Sequence, residues 1–324
     1  MCRRPEGART FHSISEFFYR PVTPPQRLAN NLCIHKAPRA PRVSKDYPSL
    51  VPMNLLTSVA ALLLSISLVQ STNLILTNDD GWAVAMIRQQ YAALIDAGYD
   101  VVLASPAENE SGTSSMSATP TVLNITCEFD TCPIGSPPEG FNASEPTLNY
   151  INSFPVNAVA FGIQTLAPQF FGGPPDFVVS GPNVGNNLGQ ATVNISGTVH
   201  FRAVVSSGIV VKYVDALLAG GFPVLPAGIS VNVNWPAATP STCPDAEAYS
   251  FIPTVITANP DVADAEICGT DQLPAETDVV AAEGCFVSVS VMNATSKTDV
   301  DAATQAAVFQ RLDSILSCPQ TVPL

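Results

Sequence analysis

Three short polar segments carry side chains that could do chemistry, and each follows an apolar run. NLILT at residues 73–77 leads into Asn78-Asp79-Asp80-Gly81, a second run at 100–104 leads into PAENESG at 106–112, and FVV at 177–179 leads into SGPNVGNN. The adjacent Asp79 and Asp80 offer hard anionic oxygens suited to a divalent cation such as Mg²⁺ or Mn²⁺. NDDG alone is no more than a good turn, since Asn, Asp and Gly are common turn formers. Its neighbours make it informative, because ligands of open α/β sheets bind beyond the carboxyl ends of the strands. A fourth segment, Ser196-Gly197-Thr198, precedes a predicted helix, where backbone N–H groups form a natural anion site.

The elements that must position these loops read as one α/β unit. Asn73–Thr77 is a short buried parallel strand, and a helix follows through about 83–97, with Val84, Ile87, Tyr91, Leu94 and Ile95 on one face and Gly98 at its end. Asp100–Ala104 returns as a strand, so a parallel sheet covered by helices is expected. A loop rich in Ser, Gly and Pro follows, then a helix over Pro155–Leu166 and a third strand over Phe177–Ser180. A helix is expected over Thr198–Ser207, stopped by Gly208. Strands are expected over Ile229–Asn234 and Cys285–Val291, a terminal helix over Asp299–Leu316, and irregular insertions between 235 and 284.

Phosphate and hydrolytic chemistries built on histidine, serine or cysteine lack their residues. His200 is the one histidine after residue 71, so a phosphohistidine loop or a Ser-His-Asp triad has no second candidate, and G-x-S-x-G is absent. His200 itself reads as a helix residue rather than an acid or base. None of the six cysteines beyond residue 71 precedes an arginine at C-x₅-R spacing, no C-x-x-C pair supports zinc, and the first turn lacks the G-x-G-x-x-G of a dinucleotide site.

The 324 residues carry a formal net charge of −13, unevenly placed. Residues 1–71 hold nine Lys or Arg and three Asp or Glu, a charge of +6, whereas the other 253 hold five and 24, a charge of −19. So acidic a body excludes a nucleic-acid groove, which needs clustered Lys and Arg. Residues 1–52 are rich in Pro and Arg and read as a disordered upstream extension. From Met53, MNLLTSVAALLLSISLVQST has the uncharged length of a signal peptide, too short for a stable membrane span, with cleavage near Ser71. The three polar loops therefore belong to a body spanning 72–324. Six cysteines beyond Ser71 indicate disulfides in a secreted chain, and Cys127–Cys132 is the expected local pair. Sequons stand at Asn109, Asn124, Asn142, Asn194 and Asn293; Asn109 and Asn194 flank the expected site and are expected to be unglycosylated.

LILTNDDGW, PAENESG, SFPVNAV, PDFVVSGPNVGNN, SGTV and LPAGISVNVNWP occur in that order, and over residues 73–236 the chain resembles the survival-protein SurE family of phosphatases and nucleotidases, especially secreted fungal acid phosphatases. The resemblance implies a Rossmann-like three-layer α/β/α sandwich with a mostly parallel sheet. It implies one Mg²⁺ or Mn²⁺ held by Asp79, Asp80, Ser111 and Asn183, with Asp79 and Asp80 catalytic and phosphate contacts from Asn187, Ser196, Gly197 and Thr198. A small phosphomonoester or nucleotide is the implied substrate, hydrolysed by a metal-activated water, and a homodimer or tetramer is left open. The export signal adds a secreted, cell-wall or vacuolar location. The chain departs from the family after SGTV: His200 and Phe201 stand where small residues are usual, and GIV runs directly into VKYVDALLAGG where a central strand is expected. The rival expectation is thus a secreted glycoprotein of this fold with little or no turnover.

Overall fold

The computed structural model describes residues 19–21, 71–183, 186–188, 191–193 and 199–318. Apart from residues 19–21 and Ser71, the expected upstream extension and signal peptide lie outside the described residues.

Strand β2 (Asn73–Thr77; β1 is Tyr19–Pro21) organises the first sheet. Its side chains alternate between two faces, and both faces are apolar. Leu74 and Leu76, with Val101 and Leu103 of β3 (Asp100–Pro106), join one core cluster containing Ile87 and Leu94 of α1 (Ala85–Asp96). Ile75, Val102 and Ala104 point the other way, toward Ala158 and Phe161 of α2 (Pro155–Phe161). That helix continues through a π turn at Gly162–Leu166 into α3 (Ala167–Phe171). Helices therefore cover both faces of the parallel strands, as the three-layer expectation requires.

The remaining strands complete a six-stranded sheet in the order β1-β4-β5-β3-β2-β6, where β4 is Glu139–Asn142, β5 Glu145–Ile151 and β6 Phe177–Ser180. The pairs β2/β3, β2/β6 and β3/β5 are parallel, and β4/β5 and β1/β4 are antiparallel. The β4–β5 hairpin occupies part of the segment expected to be a loop. Its polar residues Glu145, Thr147 and Asn149 weaken the apolar signal that marks the central strands. A short ladder joins β7 (Asn186–Leu188) to β8 (Ala191–Val193).

Beyond it, α4 spans Val199–Ala219 and does not stop at Gly208. Glycine in a helix interior costs about 1 kcal/mol relative to alanine, but here the helix buries Ile209, Val214 and Leu217, each worth about 1.5–3 kcal/mol. Packing overrides propensity. Gly208 serves instead as a close contact, since a Cβ at this position would lie 2.8 Å from Cβ of Ala246.

A second sheet, in the order β10-β11-β9, follows β9 (Ile229–Asn234) with β10 (Ser250–Thr254) and β11 (Phe286–Asn293). β10 and the short α5 (Glu276–Ala281) stand where irregular insertions were expected. Pro253 hides the strand from a propensity reading, and β10 tolerates it as an edge strand. The terminal helix α6 is Ala302–Leu312, shorter than expected, because Asp301 caps it by accepting from the Thr304 N–H at 2.9 Å. Cys127–Cys132 is bonded as expected, and Cys243–Cys285 and Cys268–Cys318 pair the other four cysteines.

Where the π turn crosses the sheet, a Cβ on Gly162 would stand 2.9 Å from Ile75 Cγ2 and 3.0 Å from the Ala104 methyl. Gly162→Val is expected to destabilise the protein by about 1–3 kcal/mol through overpacking. Urea unfolding midpoints of the variant and the parent check this.

Candidate functional site

β2 and β6 run parallel with Thr77 opposite Ser180, so both strands end on the same side of the sheet. Asn78-Asp79-Asp80 and Gly181-Pro182-Asn183 therefore emerge as neighbours. Backbone hydrogen bonds fasten the loops together. The Gly181 N–H donates to the Thr77 carbonyl at 2.8 Å, Glu110 N–H to the Asp79 carbonyl at 2.8 Å, and Trp82 N–H to the Pro106 carbonyl at 2.9 Å.

Gly81 makes the first turn possible. Its φ is +110°, a conformation that side chains rarely adopt, and a Cβ would collide with Glu128 Oε2. Asn78 braces the turn by donating its amide to the Gly81 carbonyl at 3.1 Å. Trp82 anchors the next residue: it is buried, its indole N–H donates to Thr131 Oγ1 at 3.1 Å, and its ring lies 5.2 Å from that of Tyr150. Arg88 lies over the Trp82 ring at 4.6 Å and donates to the Trp82 carbonyl at 2.6 Å. Burial lowers the Arg88 pKa to about 10, so this cation is committed to the turn.

Asp79, Asp80, Ser111 and Asn183 thus come from three mutually bonded loops. The Ser111 hydroxyl acts on the Asp79 carboxylate to lower its pKa, while Asp80 is buried. Oδ1 of Asp79, Oδ1 of Asn183 and Oδ1 of Asn78 are all buried acceptors with no hydrogen-bond partner. Unpartnered buried acceptors are costly, and a set made of oxygens alone fits a hard cation and not a donor ligand. Among the described residues, no group of three or more His, Cys, Asp and Glu side chains is arranged to hold a metal, so the fit rests on the mixed aspartate, amide and hydroxyl set. Asn187 belongs to β7, but its side chain and Ser196, Gly197 and Thr198 lie outside the described residues. They adjoin the start of α4 at Val199.

Glu108 and Glu128 are additions that motif reading missed. Burial first, then the neighbouring Glu108 and Asp80 carboxylates, push Glu128 up to about 7. Burial also raises Asp79 above the ordinary carboxylate range, against the lowering hydrogen bonds of its own backbone and Ser111. Glu128 was invisible because it sits 48 residues downstream of Asp80 and is delivered by the loop closed by Cys127–Cys132. Lys297 donates to Ser114 Oγ at 3.4 Å, bringing a cation to the rim of the second loop.

Because folded Glu128 holds its proton more tightly than the unfolded chain, its contribution favours folding below pH 4.5 and is lost as pH rises toward 7. Glu128→Gln removes that loss. In chelator-treated protein it is expected to gain about 1 kcal/mol over the parent at pH 8, discounted for solvent screening, and almost nothing at pH 4. Unfolding titrations at the two pH values measure the difference.

Residues 74–212 match the family model described as survival protein SurE. An acid phosphatase from Yarrowia lipolytica is 38% identical over 130 residues, covering 39% of this chain and 36% of that one. A protein named 5'-nucleotidase SurE from Methanococcoides burtonii is 31% identical over 129 residues, covering 40% and 42%; one from Nitratidesulfovibrio vulgaris is 29% identical over 181, covering 50% and 61%. The chain therefore spans less than two thirds of the length of these curated relatives. The SurE protein of Aquifex aeolicus, a crystal structure, aligns over 68% of this chain and 93% of its own at 19% identity, with a TM-score of 0.45. With three motif-bearing loops gathered at the end of a parallel sheet and a family match across them, the chain is similar over residues 74–212 to the survival protein SurE family.

Proposed function

We propose that this protein hydrolyses phosphomonoesters, as an acid phosphatase or nucleotidase, with one divalent cation bound by Asp79, Asp80, Ser111 and Asn183. The observation that carries the reading is the pair of partnerless buried oxygens, Asp79 Oδ1 and Asn183 Oδ1, at the end of β2 and β6. Bound Mg²⁺ or Mn²⁺ supplies charge against a phosphoryl oxygen and acidifies a water. Asp79 and Asp80 orient the attacking water, and Asp79 accepts its proton; Ser111 counters the burial that raises the Asp79 pKa. Water oxygen bonds to phosphorus, the ester P–O bond breaks, the departing alkoxide takes a proton from solvent, and Asp79 returns its proton to solvent. Asn187 and the Ser196-Gly197-Thr198 turn before α4 grip the phosphate through amide and N–H donors. Such a grip suits a body with few cations, two of which are engaged elsewhere: Arg88 at Trp82, and Lys212 with Glu247 at 3.1 Å.

EDTA is expected to abolish hydrolysis of 4-nitrophenyl phosphate, and added Mg²⁺ or Mn²⁺ to restore it. Asp79→Asn and Asp80→Asn should each lower kcat/KM about 100-fold or more, with unchanged circular dichroism. Full activity in either variant would remove the site assignment. Intact metal binding without turnover on a broad phosphoester panel would favour the inactive glycoprotein.

We further propose that the protein is exported through a signal peptide beginning at Met53. Disulfides between all six cysteines beyond residue 71 suit an oxidising compartment. Among the sequons, Asn124 is exposed, whereas Asn142 is 5% exposed and its Oδ1 accepts from the Ser144 N–H. Expression from Met53 in a eukaryotic secretory host is expected to yield medium protein starting near Thr72, with glycan on Asn124 and none on Asn142. Peptide mapping reads both, and intracellular protein retaining Met53 would refute export.

A further inference from the structure

A cleft of about 490 Å³ lies between the two sheets, and consecutive residues of two strands, 177–183 and 229–235, line it. A cavity over a strand's face meets alternate residues; one meeting every residue runs along the strand's edge. Among the described residues β6 pairs with β2 alone and β9 with β11 alone, so each turns an edge into this space. Its apolar side includes Ile209, Val210, Tyr213 and Val214, spaced as one face of α4. Ile229–Val233 of β9 are only half-buried, which marks the cleft as open and accessible.

Two further features point to a ligand. The cleft is lined by Asn183, the residue that also brings a buried, partnerless Oδ1 to the site beside Asp79. It also carries a small number of fixed polar groups among apolar ones. Trp235 donates its indole N–H to Ser206 Oγ at 3.3 Å, and Asn232 donates its amide at 2.9 Å to Glu276, which is fully buried. Apolar walls with a few anchored polar groups and a volume within about 300–1,000 Å³ are the ordinary form of a small-molecule site.

We propose that this cleft receives the organic leaving group of the phosphomonoester and selects flat, largely apolar alcohols of the aryl kind. The assignment rests on the phosphatase reading above and adds the part of the substrate that the metal site does not touch. With phosphate at Asp79 and Asn183, an ester oxygen directed past Asn183 enters the cleft. There an aromatic ring lies on the α4 face, between the residues of β6 and β9 that line the cleft.

The probe is 1-naphthol, titrated against tryptophan fluorescence, because Trp235 lines the cleft. Saturable quenching is expected, weakened at least tenfold in Val210→Phe, which fills the space. Val231→Phe serves as the second filling variant should the first fail to fold by circular dichroism. In the parent, kcat/KM for 1-naphthyl phosphate should exceed that for glycerol phosphate at least tenfold. Equal values for the two esters, or naphthol binding untouched by filling the cleft, overturn the proposal while leaving phosphatase activity standing. Saturable naphthol binding with no hydrolysis of either ester instead overturns the phosphatase reading, and the leaving-group role falls with it.

Discussion

A strand with apolar side chains on both faces can persist only between two layers that cover it, and β2 imposes that condition on its neighbours. Leu74 and Leu76 demand α1 on one side, and Ile75 demands the α2–α3 segment on the other. Burying these side chains fully contributes about 1.5–3 kcal/mol each, far more than any loop interaction can offset. Parallel pairing then follows from the crossover helices, and with it the direction in which every strand ends. The loops after β2 and β6 become neighbours because Thr77 and Ser180 are in register, before any polar contact between those loops is considered. Rigidity at the site is thus inherited from the core, and Gly162 shows how little slack the core leaves.

Against that apolar frame the site is electrostatically expensive. Asp79 is raised by burial, and Glu128 is raised by burial and by two other carboxylates. Neighbouring like charges repel most where burial keeps water from screening them, so such a cluster works against folding unless something positive joins it. Arg88 does not fill that role, since its guanidinium is spent on the Trp82 carbonyl and ring. The packing therefore keeps the acceptors close together and leaves their charge to be balanced from outside the chain. This is the ordinary trade of a binding site, where local instability is held in place by the surrounding core.

The parts legible in the sequence were those with a strong local signature. β2, α1, β3 and β6 combine an apolar run with turn residues, and Asp79, Asp80, Ser111 and Asn183 stand directly after such runs. Elements whose identity depends on distant partners were not legible. The β4–β5 hairpin is polar along much of its length, β10 carries Pro253 on a protected edge, and the pairing of Cys268 with Cys318 spans 50 residues. Glu128 belongs to the same group: nothing near it in the chain announces Gly81. Gly208 misled for the opposite reason, its local meaning being clear but outweighed by burial of the residues after it.

That outweighing has a structural consequence beyond the helix itself. Because α4 runs on to Ala219, the chain reaches β9 without first placing a strand beside β6, and among the described residues neither β6 nor β9 has a second strand partner across this space. Exposed edges are a liability in solution, since their N–H and C=O groups template association with other strands. Here they face inward over an apolar helix surface, with the half-buried Trp235 and Val210 between them and solvent. A core that had simply lost a strand would be expected to collapse until its walls touched. The fixed span of α4, the buried anchor of Asn232 on Glu276 and the Cys243–Cys285 crosslink near the start of β11 oppose that collapse. The void is thus held open by covalent and polar supports on one side and by the register of β6 on β2 on the other, which ties its dimensions to the same strand pair that positions the loops of the candidate site.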